Sequence, residues 1–266
     1  MATPEPTAPQ RSERRRFLTV YGRNAVLEAL SDPDLDCRTL HLASSNRQGG
    51  ILAEITRRAA EREVSLREHS REELARISRN GRQDQGVALD VFCPRIGELD
   101  AARAAHEESC RLVALDGVTN PQNMGMVLRS CVAAGIDGIL YADRGNPRLG
   151  PLVIKASAGT AFRAPLLRCT TVQGGLEALL DAGFSLFRLS ADGERTLFDG
   201  RDFPAHSVFV LGGESDGISA GIRALPGTGL SIPMASGVES LNVAVSAALV
   251  AYRVAQSQIR SPQRDR

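Results

Sequence analysis

The segment SIPMASGVESLNV, residues 231–243, places a short apolar strand, a polar loop and a strongly apolar helix in direct succession. Such a junction often forms a binding site, because the free N–H groups at the start of the helix face the loop. Ser240 and Asn242 lie where the helix is predicted to begin. Each side-chain oxygen can either cap that helix or point to a ligand in front of it, and this segment alone favours neither use.

The composition is typical of a globular protein. At 266 residues and 42% hydrophobic content, the chain can bury one large core or two smaller ones. No apolar run approaches the roughly 18 residues that cross a membrane, and the polar, Pro-rich start lacks the pattern of a secretory signal. The five cysteines and four histidines are scattered and form no metal-binding or disulfide pattern. We expect a cytoplasmic protein with no metal site.

The charge pattern leaves nucleic-acid binding open. A formal net charge of +1 argues against a uniformly basic surface. Lys155 is the only lysine among 32 basic residues, and arginine is the better side chain for bidentate phosphate contacts and for stacking on bases. A GC-rich genome would produce the same bias.

The order of strands and helices predicts an α/β fold. Strands are predicted at 39–43, near 64, and at 86–91, 111–116, 136–142, 185–190, 207–211 and 230–232, and helices at 24–30, 51–61, 72–77, 124–134, 152–157, 176–182 and 241–256. The alternation after residue 110 indicates a mostly parallel sheet with helices on both faces. The predicted division is a flexible basic arm (1–16), a small α/β domain (17–93), a linker (94–109), a larger α/β domain (110–259) and a tail (260–266).

The final helix is predicted to have a wide apolar face. Its members recur at helical spacing: Leu241, Ala244, Val245, Ala248, Leu249 and Tyr252. We expect this face to pack in the core, with a dimer contact as the alternative.

Three loops carry the residues suited to chemistry, and each follows a predicted strand of the larger domain. Ligands of open parallel sheets bind beyond the carboxyl ends of the strands, so the loops could share one site. The first, residues 115–129, contains Asn123, a predicted helix cap, and Arg129, whose charge would be expensive to bury among its apolar neighbours. In the second, residues 208–218, paired glycines allow a ligand to approach the backbone, but without the GxGxxG spacing of a dinucleotide site. The third is the opening segment.

Together the three loops resemble a known family. NPQNMGMVLRS (120–130), FVLGGESDGIS (209–219) and LSIPMASGVESLNVAVSAALVAY (230–252), in that order, are similar to the three motifs of the SpoU (TrmH) family of SPOUT methyltransferases. YGRNAVLEAL (21–30) and QGVALDV (85–91) resemble the substrate-binding domain of the branch that methylates guanosine 2′-hydroxyls in 23S ribosomal RNA. In the family the residue before Pro121 is more often Asp than the Asn120 found here, a change that removes no expected site group.

The resemblance implies a carboxyl-terminal α/β trefoil-knot domain, a small amino-terminal domain like ribosomal protein L30e, and a homodimer formed through the knotted domains. It implies methyl transfer from S-adenosylmethionine to a ribose 2′-hydroxyl of RNA. By the same resemblance, the cofactor would be held by Gly212, Ile232 and Leu241, with Leu211, Gly213, Pro233 and Met234 beside them. The polar active-site positions would be Asn123, Arg129, Glu214, Ser240 and Asn242.

These residue types suit the implied reaction. The methyl group of a sulfonium is already activated, so the protein must chiefly align the ribose oxygen and accept or share its proton, and no metal is required. The role of Arg129 stays open between general base and phosphate clamp, because a guanidinium remains protonated in proteins. In the small domain, Tyr21, Arg23 and Asn24 form a polar start to an apolar helix and are candidates for RNA contact.

Three other functions stay open. The chain could modify transfer RNA or a ribosomal site of antibiotic resistance, which the motifs of the larger domain do not distinguish from the first function. It could be a non-catalytic RNA-binding protein of ribosome assembly, against which the complete set of polar site residues argues. A nucleotide-binding dehydrogenase is disfavoured by the missing glycine fingerprint.

Overall fold

The computed structural model describes residues 16–47, 49–99, 108–142, 144–214, 216–235 and 237–259. The chain divides into two compact units, Met1–Ile96 with Leu149–Lys155, and Gly97–Arg148 with Ala156–Arg266. Most of the predicted basic arm and the predicted tail lie outside the described residues. Within the described part, no helix is long and apolar enough to cross a membrane.

The first unit is built on four strands, β1 (Phe17–Tyr21), β2 (Asp36–Ala43), β3 (Ser65–His69) and β4 (Val87–Phe92). They form one sheet in the order β1-β4-β2-β3. Strand β4 runs antiparallel to β1 and β2, whereas β2 and β3 are parallel. The sequence pattern predicted its helices and three of its strands, but missed the first strand, which has only five residues. The helices of this unit are α1 (Arg23–Ser31), α2 (Gly50–Glu61) and α3 (Arg71–Ser78).

Arg62 closes the carboxyl end of α1. The last carbonyl groups of a helix have no partner within the helix and need donors from elsewhere. The Arg62 guanidinium, which lies just after α2, donates to the Asp32 carbonyl at 2.8 Å and to three further carbonyls, those of Ala29, Leu30 and Leu35. One side chain therefore fixes the turn between α1 and β2 and ties α2 to it.

The second unit contains an eight-stranded sheet in which every neighbouring pair of strands is parallel. The α/β prediction is thus confirmed, and the knot stays a prediction. The elements are β5 (Gly97–Glu98), β6 (Cys110–Asp116), α4 (Pro121–Ala133), β7 (Gly138–Ala142), β8 (Leu166–Cys169), α6 (Val172–Asp181), β9 (Ser185–Leu189), β10 (Arg195–Thr196), β11 (His206–Gly212), α7 (Ala220–Arg223), β12 (Thr228–Ser231) and α8 (Val243–Ile259). Helix α5 (Pro151–Ala156) lies between β7 and β8 in the sequence, and all but its last residue belong to the first unit.

Strand order brings the first two chemistry-bearing loops together. The sheet runs β10-β12-β9-β11-β6-β7-β8-β5, so β6 and β11 are neighbours at its centre. Their last residues, Asp116 and Gly212, are paired. Helix α8, which the third loop precedes, packs against α4, which the first loop precedes. All three loops therefore converge on one edge of the sheet. Gly97 and Glu98, from the expected linker, form the short strand β5 beside β8.

Helix α8 buries a face that overlaps the predicted one only in part, since Ala244 is buried as predicted. Val243, Ala247, Val250 and Val254 are almost fully buried. Val245 and Tyr252, by contrast, are 48% and 56% exposed. The core prediction was therefore wrong for these two side chains. Because the helix is apolar on most of its circumference, periodicity alone could not distinguish the inward face from the outward one.

Candidate active site

The paired glycines after β11 allow two backbone segments to pack closely. A Cβ atom on Gly213 would lie 2.3 Å from the carbonyl oxygen of Gly117, in the loop after β6. A Cβ atom on Gly212 would lie 2.2 Å from the backbone carbon of Gly217. The sequence suggested that these glycines leave space for a ligand. In the structure this space is filled by the protein's own backbone, which fixes the two loops against each other.

One hydrogen-bonded cluster joins the three loops. The side-chain amide of Asn123 donates to Oε1 of Glu214 at 2.5 Å. The amide of Asn242 donates to the same Glu214 oxygen at 2.9 Å and to Oδ1 of Asn123 at 3.2 Å. Asn123 is buried, whereas Glu214 and Asn242 are largely exposed. Residues far apart in the sequence thus form one polar group at the carboxyl edge of the sheet.

Helix α4 is capped by Asn120. Its side-chain oxygen accepts hydrogen bonds from the N–H groups of Gln122, at 2.8 Å, and Asn123, at 3.4 Å, and Pro121 occupies the first helical position. The prediction that Asn123 caps this helix was wrong, because the helix begins earlier and places Asn123 in its first turn. The Asn123 side chain is therefore available for the cluster.

Asn242 serves in two roles at once. Its Oδ1 accepts the N–H of Ala244 at 2.8 Å at the start of α8, while its amide donates to Glu214 and Asn123. The capping role that the sequence left open is thus confirmed for Asn242, and the contact with a ligand stays a prediction. Ser240 is exposed, and within the described residues its side chain has no hydrogen bond.

Arg129 lies outside the cluster. Its side chain is exposed, and it forms no hydrogen bond or ion pair with any described residue. The inward face of α4 is formed by Met124, Val127, Leu128 and Cys131 instead. The expectation that this charge lies among apolar neighbours, where its burial would cost free energy, was therefore wrong. Six helical positions separate Arg129 from Asn123, which corresponds to about 9 Å along the axis and about 120° around it.

The segment expected to hold the cofactor leaves backbone groups available. Within the described part of residues 232–241, the only backbone hydrogen bond runs from the N–H of Val238 to the carbonyl of Ala235. The peptide groups of Ile232 and Leu241 therefore have no backbone partner there. Pro233 and Met234 are exposed, Leu211 is buried, and Gly212 and Gly213 are half-buried. Free peptide groups beside exposed apolar side chains suit a flat, hydrogen-bonding heterocycle.

A pocket of about 240 Å³ lies between the first two loops. It includes Asn123, Gly213 and Glu214 of the predicted site, and its other lining residues are Asp116, Gly117, Val118, Thr119, Asn120, Asp216, Gly217, Ser219 and Val243. Sequence reasoning missed Asp116, although its place at the end of β6 was a usable signal. Its carboxylate accepts the N–H of Ser219 at 2.7 Å and so anchors the start of α7. No group of His, Cys, Asp or Glu side chains in the described part is arranged to hold a metal ion.

Comparison with known sequences identifies the family. The sequence profile described as the SpoU rRNA Methylase family matches residues 111–252, more than half of the chain. The chain belongs to the SpoU rRNA methylase family. A second profile, "RNA 2'-O ribose methyltransferase substrate binding", matches residues 19–96 of this SpoU methylase.

Named relatives agree with this family. An "Uncharacterized tRNA/rRNA methyltransferase" of Mycolicibacterium vanbaalenii is 34% identical over 242 residues, which cover 90% of this chain and 76% of the relative. A relative of the same name from Mycobacterium avium is also 34% identical, over 244 residues covering 90% of this chain and 77% of the relative. The chain is thus a SpoU-family RNA methyltransferase.

Solved structures share the fold. The SpoU methyltransferase AviRb of Streptomyces viridochromogenes, crystallised with AdoMet, has a TM-score of 0.63 and 24% identity, and the match covers 96% of this chain and 95% of that one. A protein described by its role in the 2-OH methylation of C/U34 on tRNA has a TM-score of 0.52 and 28% identity. That match covers 57% of this SpoU methylase and 99% of the other chain.

Proposed function

We propose that this SpoU methylase transfers a methyl group from S-adenosylmethionine to a ribose 2′-hydroxyl of structured RNA, at a guanosine of 23S ribosomal RNA. The observation that carries the proposal is the position of the Asn242 amide, which donates to both Glu214 and Asn123. It joins one polar residue from each of the three motifs. The profile matched by residues 19–96 supports the ribose as the acceptor. Transfer RNA is the second candidate, supported by the similarity to the protein named for tRNA methylation.

The cofactor would be held by the backbone of the second and third loops. The free peptide groups of Ile232 and Leu241 are available to the adenine, with Leu211, Gly212, Gly213, Pro233 and Met234 around it. The carboxylates of the pocket suit the positive charge of a sulfonium and an ammonium group. When bound, the cofactor supplies an activated methyl group.

Glu214 is suited to hold the ribose hydroxyl. Both amide donors of the cluster bind its Oε1, and Oε2 has no partner among the described residues. The free oxygen can therefore accept the hydrogen bond, or the proton, of the 2′-hydroxyl. Asn123 and Asn242 fix the orientation of the carboxylate. Ser240, which lies two residues before Asn242 in the sequence, is exposed and available to contact the substrate.

Arg129 is proposed as a phosphate clamp. A guanidinium stays protonated in proteins, which disfavours a role as general base. Its exposed position and its lack of a partner among the described residues leave the whole donor fork available for an RNA phosphate.

The homodimer is proposed to form through the outer faces of α4 and α8. These helices pack against each other, and three large apolar side chains point outward from them. Met126 is 40% exposed, Val245 48% and Tyr252 56%. Arg129 lies one turn after Met126 and so borders the proposed contact. Light scattering should give twice the monomer mass for the wild type, and Val245→Glu should shift it to the monomer.

Methyl transfer to bulk unmethylated ribosomal RNA and transfer RNA, measured with radiolabelled cofactor, tests the proposed function. We expect transfer to ribosomal RNA. Arg129→Ala should reduce the rate by about 100-fold or more, while the cofactor still raises the melting temperature. Arg76→Ala, an exposed arginine on α3, is the control and should retain the wild-type rate. Retained turnover in Arg129→Ala would remove Arg129 from the site, and no transfer to either RNA by the wild type would favour the non-catalytic alternative.

A further inference from the structure

The first unit contains a second pocket, of about 430 Å³, that is lined by Arg23, Asn46, Arg71 and Gln85. We call it the two-arginine pocket. Its lining residues come from the starts of α1 and α3 and from the connections that precede α2 and β4. None of the four is acidic, and both arginines stand at the first position of a helix. The pocket is therefore rich in hydrogen-bond donors and positive charge.

Arg23 is held in place by Gln85. Oε1 of Gln85 accepts the backbone N–H of Arg23 at 2.9 Å, and the carbonyl of Gln85 accepts Nε of Arg23 at 3.3 Å. Gly22, at the cap position of α1, supplies no side-chain cap, so Gln85 does this from another loop. Gln85 has a φ of 54°, which is unfavourable for a residue with a side chain. The two Nη groups of Arg23 have no partner within the described residues.

Asn46 is fixed by Gly86, the residue that follows Gln85 in the sequence. Its amide donates to the carbonyl of Gly86 at 2.7 Å. A Cβ atom on Gly86 would lie 2.2 Å from Oδ1 of Asn46, and Gly86 has a φ of +77°. This glycine is therefore required both by its conformation and by the close approach of Asn46. The polar wall of the pocket is preformed, which lowers the entropy lost when a ligand binds.

Arg71 carries a charge that is not neutralised locally. It is exposed and has no ion pair with any described residue. The nearby Glu73 is engaged elsewhere, because its carboxylate accepts the N–H of Ser70 in the capping box of α3, and this hydrogen bond lowers the pKa of Glu73. By contrast, Arg57 in the same unit is paired with carboxylates on α2. The guanidinium groups of Arg23 and Arg71, neither of which forms an ion pair with a described residue, thus line the same pocket.

We propose that the two-arginine pocket binds a phosphodiester group of the RNA substrate, with Arg23 and Arg71 as the phosphate ligands and Gln85 and Asn46 contacting the adjoining sugar or base. This rests on the proposed function, since it identifies how the same substrate is held. Guanidinium groups bind phosphate oxygens through paired N–H donors. The four lining residues all lie within the 19–96 segment that matches the substrate-binding profile.

The experiment measures binding of unmethylated ribosomal RNA by the full chain over a range of salt concentrations. The test variant is Arg23→Gln with Arg71→Gln. The control is Arg67→Gln with Arg76→Gln, which removes the same charge from exposed positions of the same unit that do not line the pocket. Each phosphate contact contributes about 0.7 to 0.9 to the slope of log affinity against log salt, so the test variant should reduce the slope by about 1.4 to 1.8. The control should leave it unchanged.

Two further readouts separate this proposal from the proposed function. The test variant should raise the KM for RNA, leave kcat at saturating RNA unchanged, and bind S-adenosylmethionine like the wild type. If the wild type binds RNA but transfers no methyl group, the proposed function is wrong. The salt dependence of RNA binding by the test variant and the control still tests the pocket in that case. Equal slopes for the test variant and the control would overturn the pocket, and so would a wild type that binds no RNA. Inorganic phosphate at matched ionic strength should compete weakly; strong competition would indicate a site for a free anion instead.

Discussion

Asn123→Asp replaces one atom at the centre of the cluster and changes its electrostatics. The amide that donates to Glu214 at 2.5 Å becomes a second carboxylate. Two unit charges about 3 Å apart in an effective dielectric constant of about 20 repel each other by about 5.5 kcal/mol. Keeping a carboxyl group with an ordinary pKa near 3.9 protonated at pH 7 costs about 4 kcal/mol. Because this cost is smaller than the repulsion, the pair would retain one proton. With a discount for the exposure of Glu214, we expect a loss of about 3 kcal/mol at pH 7.

The pH dependence identifies the cause. In the folded variant the new carboxyl has a raised pKa, so the folded state binds more protons than the unfolded state and the stability falls as the pH rises from about 4 toward 7. At pH 5 the penalty relative to the wild type should therefore be no more than about 1.5 kcal/mol. The unfolding in urea at the two pH values should be monitored by hydrogen exchange in β6 and β11, because these strands report on the second unit alone.

A second substitution provides the control. Asn123→Asp with Glu214→Gln reverses the direction of the amide-to-carboxylate hydrogen bond, and we expect it to recover about 2 kcal/mol of the lost stability. The reasoning is refuted if the penalty of Asn123→Asp is the same at both pH values, or if the double variant is as unstable as the sum of the single variants.

Three further predictions concern packing and charge. Arg62→Ala should lower the stability of the first unit by about 2 to 3 kcal/mol in urea titrations, because it leaves several carbonyls without their donor; Arg57→Ala, which removes only exposed ion pairs, should change it by less than about 1 kcal/mol. The hydrogen bond from Arg195 lowers the pKa of Asp199, so its stabilising effect is present above the unfolded pKa near 3.9 and is lost as the pH falls through the lower folded value; the stability difference between the wild type and Asp199→Asn should shrink on acidification below pH 4, and a constant difference would contradict this. Gly213→Ala should destabilise the second unit by about 1 to 3 kcal/mol through its clash with the loop after β6, whereas Gly97→Ala, where a Cβ atom meets nothing, should be close to neutral in the same chemical denaturation assay.

Most strands, most helices and the position of the site could be predicted from the sequence, because each depends on local pattern. Strongly apolar strands followed by polar loops marked the carboxyl edge of a parallel sheet, and Asn123, Glu214 and Asn242 do meet there. The strands β1, β5, β8 and β10 were missed; β5 and β10 have only two residues each, which is too few to show an alternating pattern.

The directions of side chains could not be predicted in the same way. Arg129 and Tyr252 both lie on helices that are apolar on most sides, so which face turns inward is decided by the packing of α4 against α8 and the sheet. The cap of α4 was assigned to Asn123 because either asparagine can cap, and only the helix start distinguishes Asn120 from it. The two-arginine pocket joins two helix starts and two connections, and no local pattern indicates that these converge.

Alkaline hydrolysis of labelled RNA tests the central claim most directly. After the full chain has transferred a radiolabelled methyl group to unmethylated 23S ribosomal RNA, alkali cleaves each phosphodiester bond next to a free 2′-hydroxyl and leaves the bond beside a methylated ribose intact. We predict that the label is recovered in alkali-stable dinucleotides and that Glu214→Gln, with its cofactor binding retained, reduces it strongly. Label recovered in mononucleotides, which indicates base methylation, or no transfer to any RNA would contradict the account.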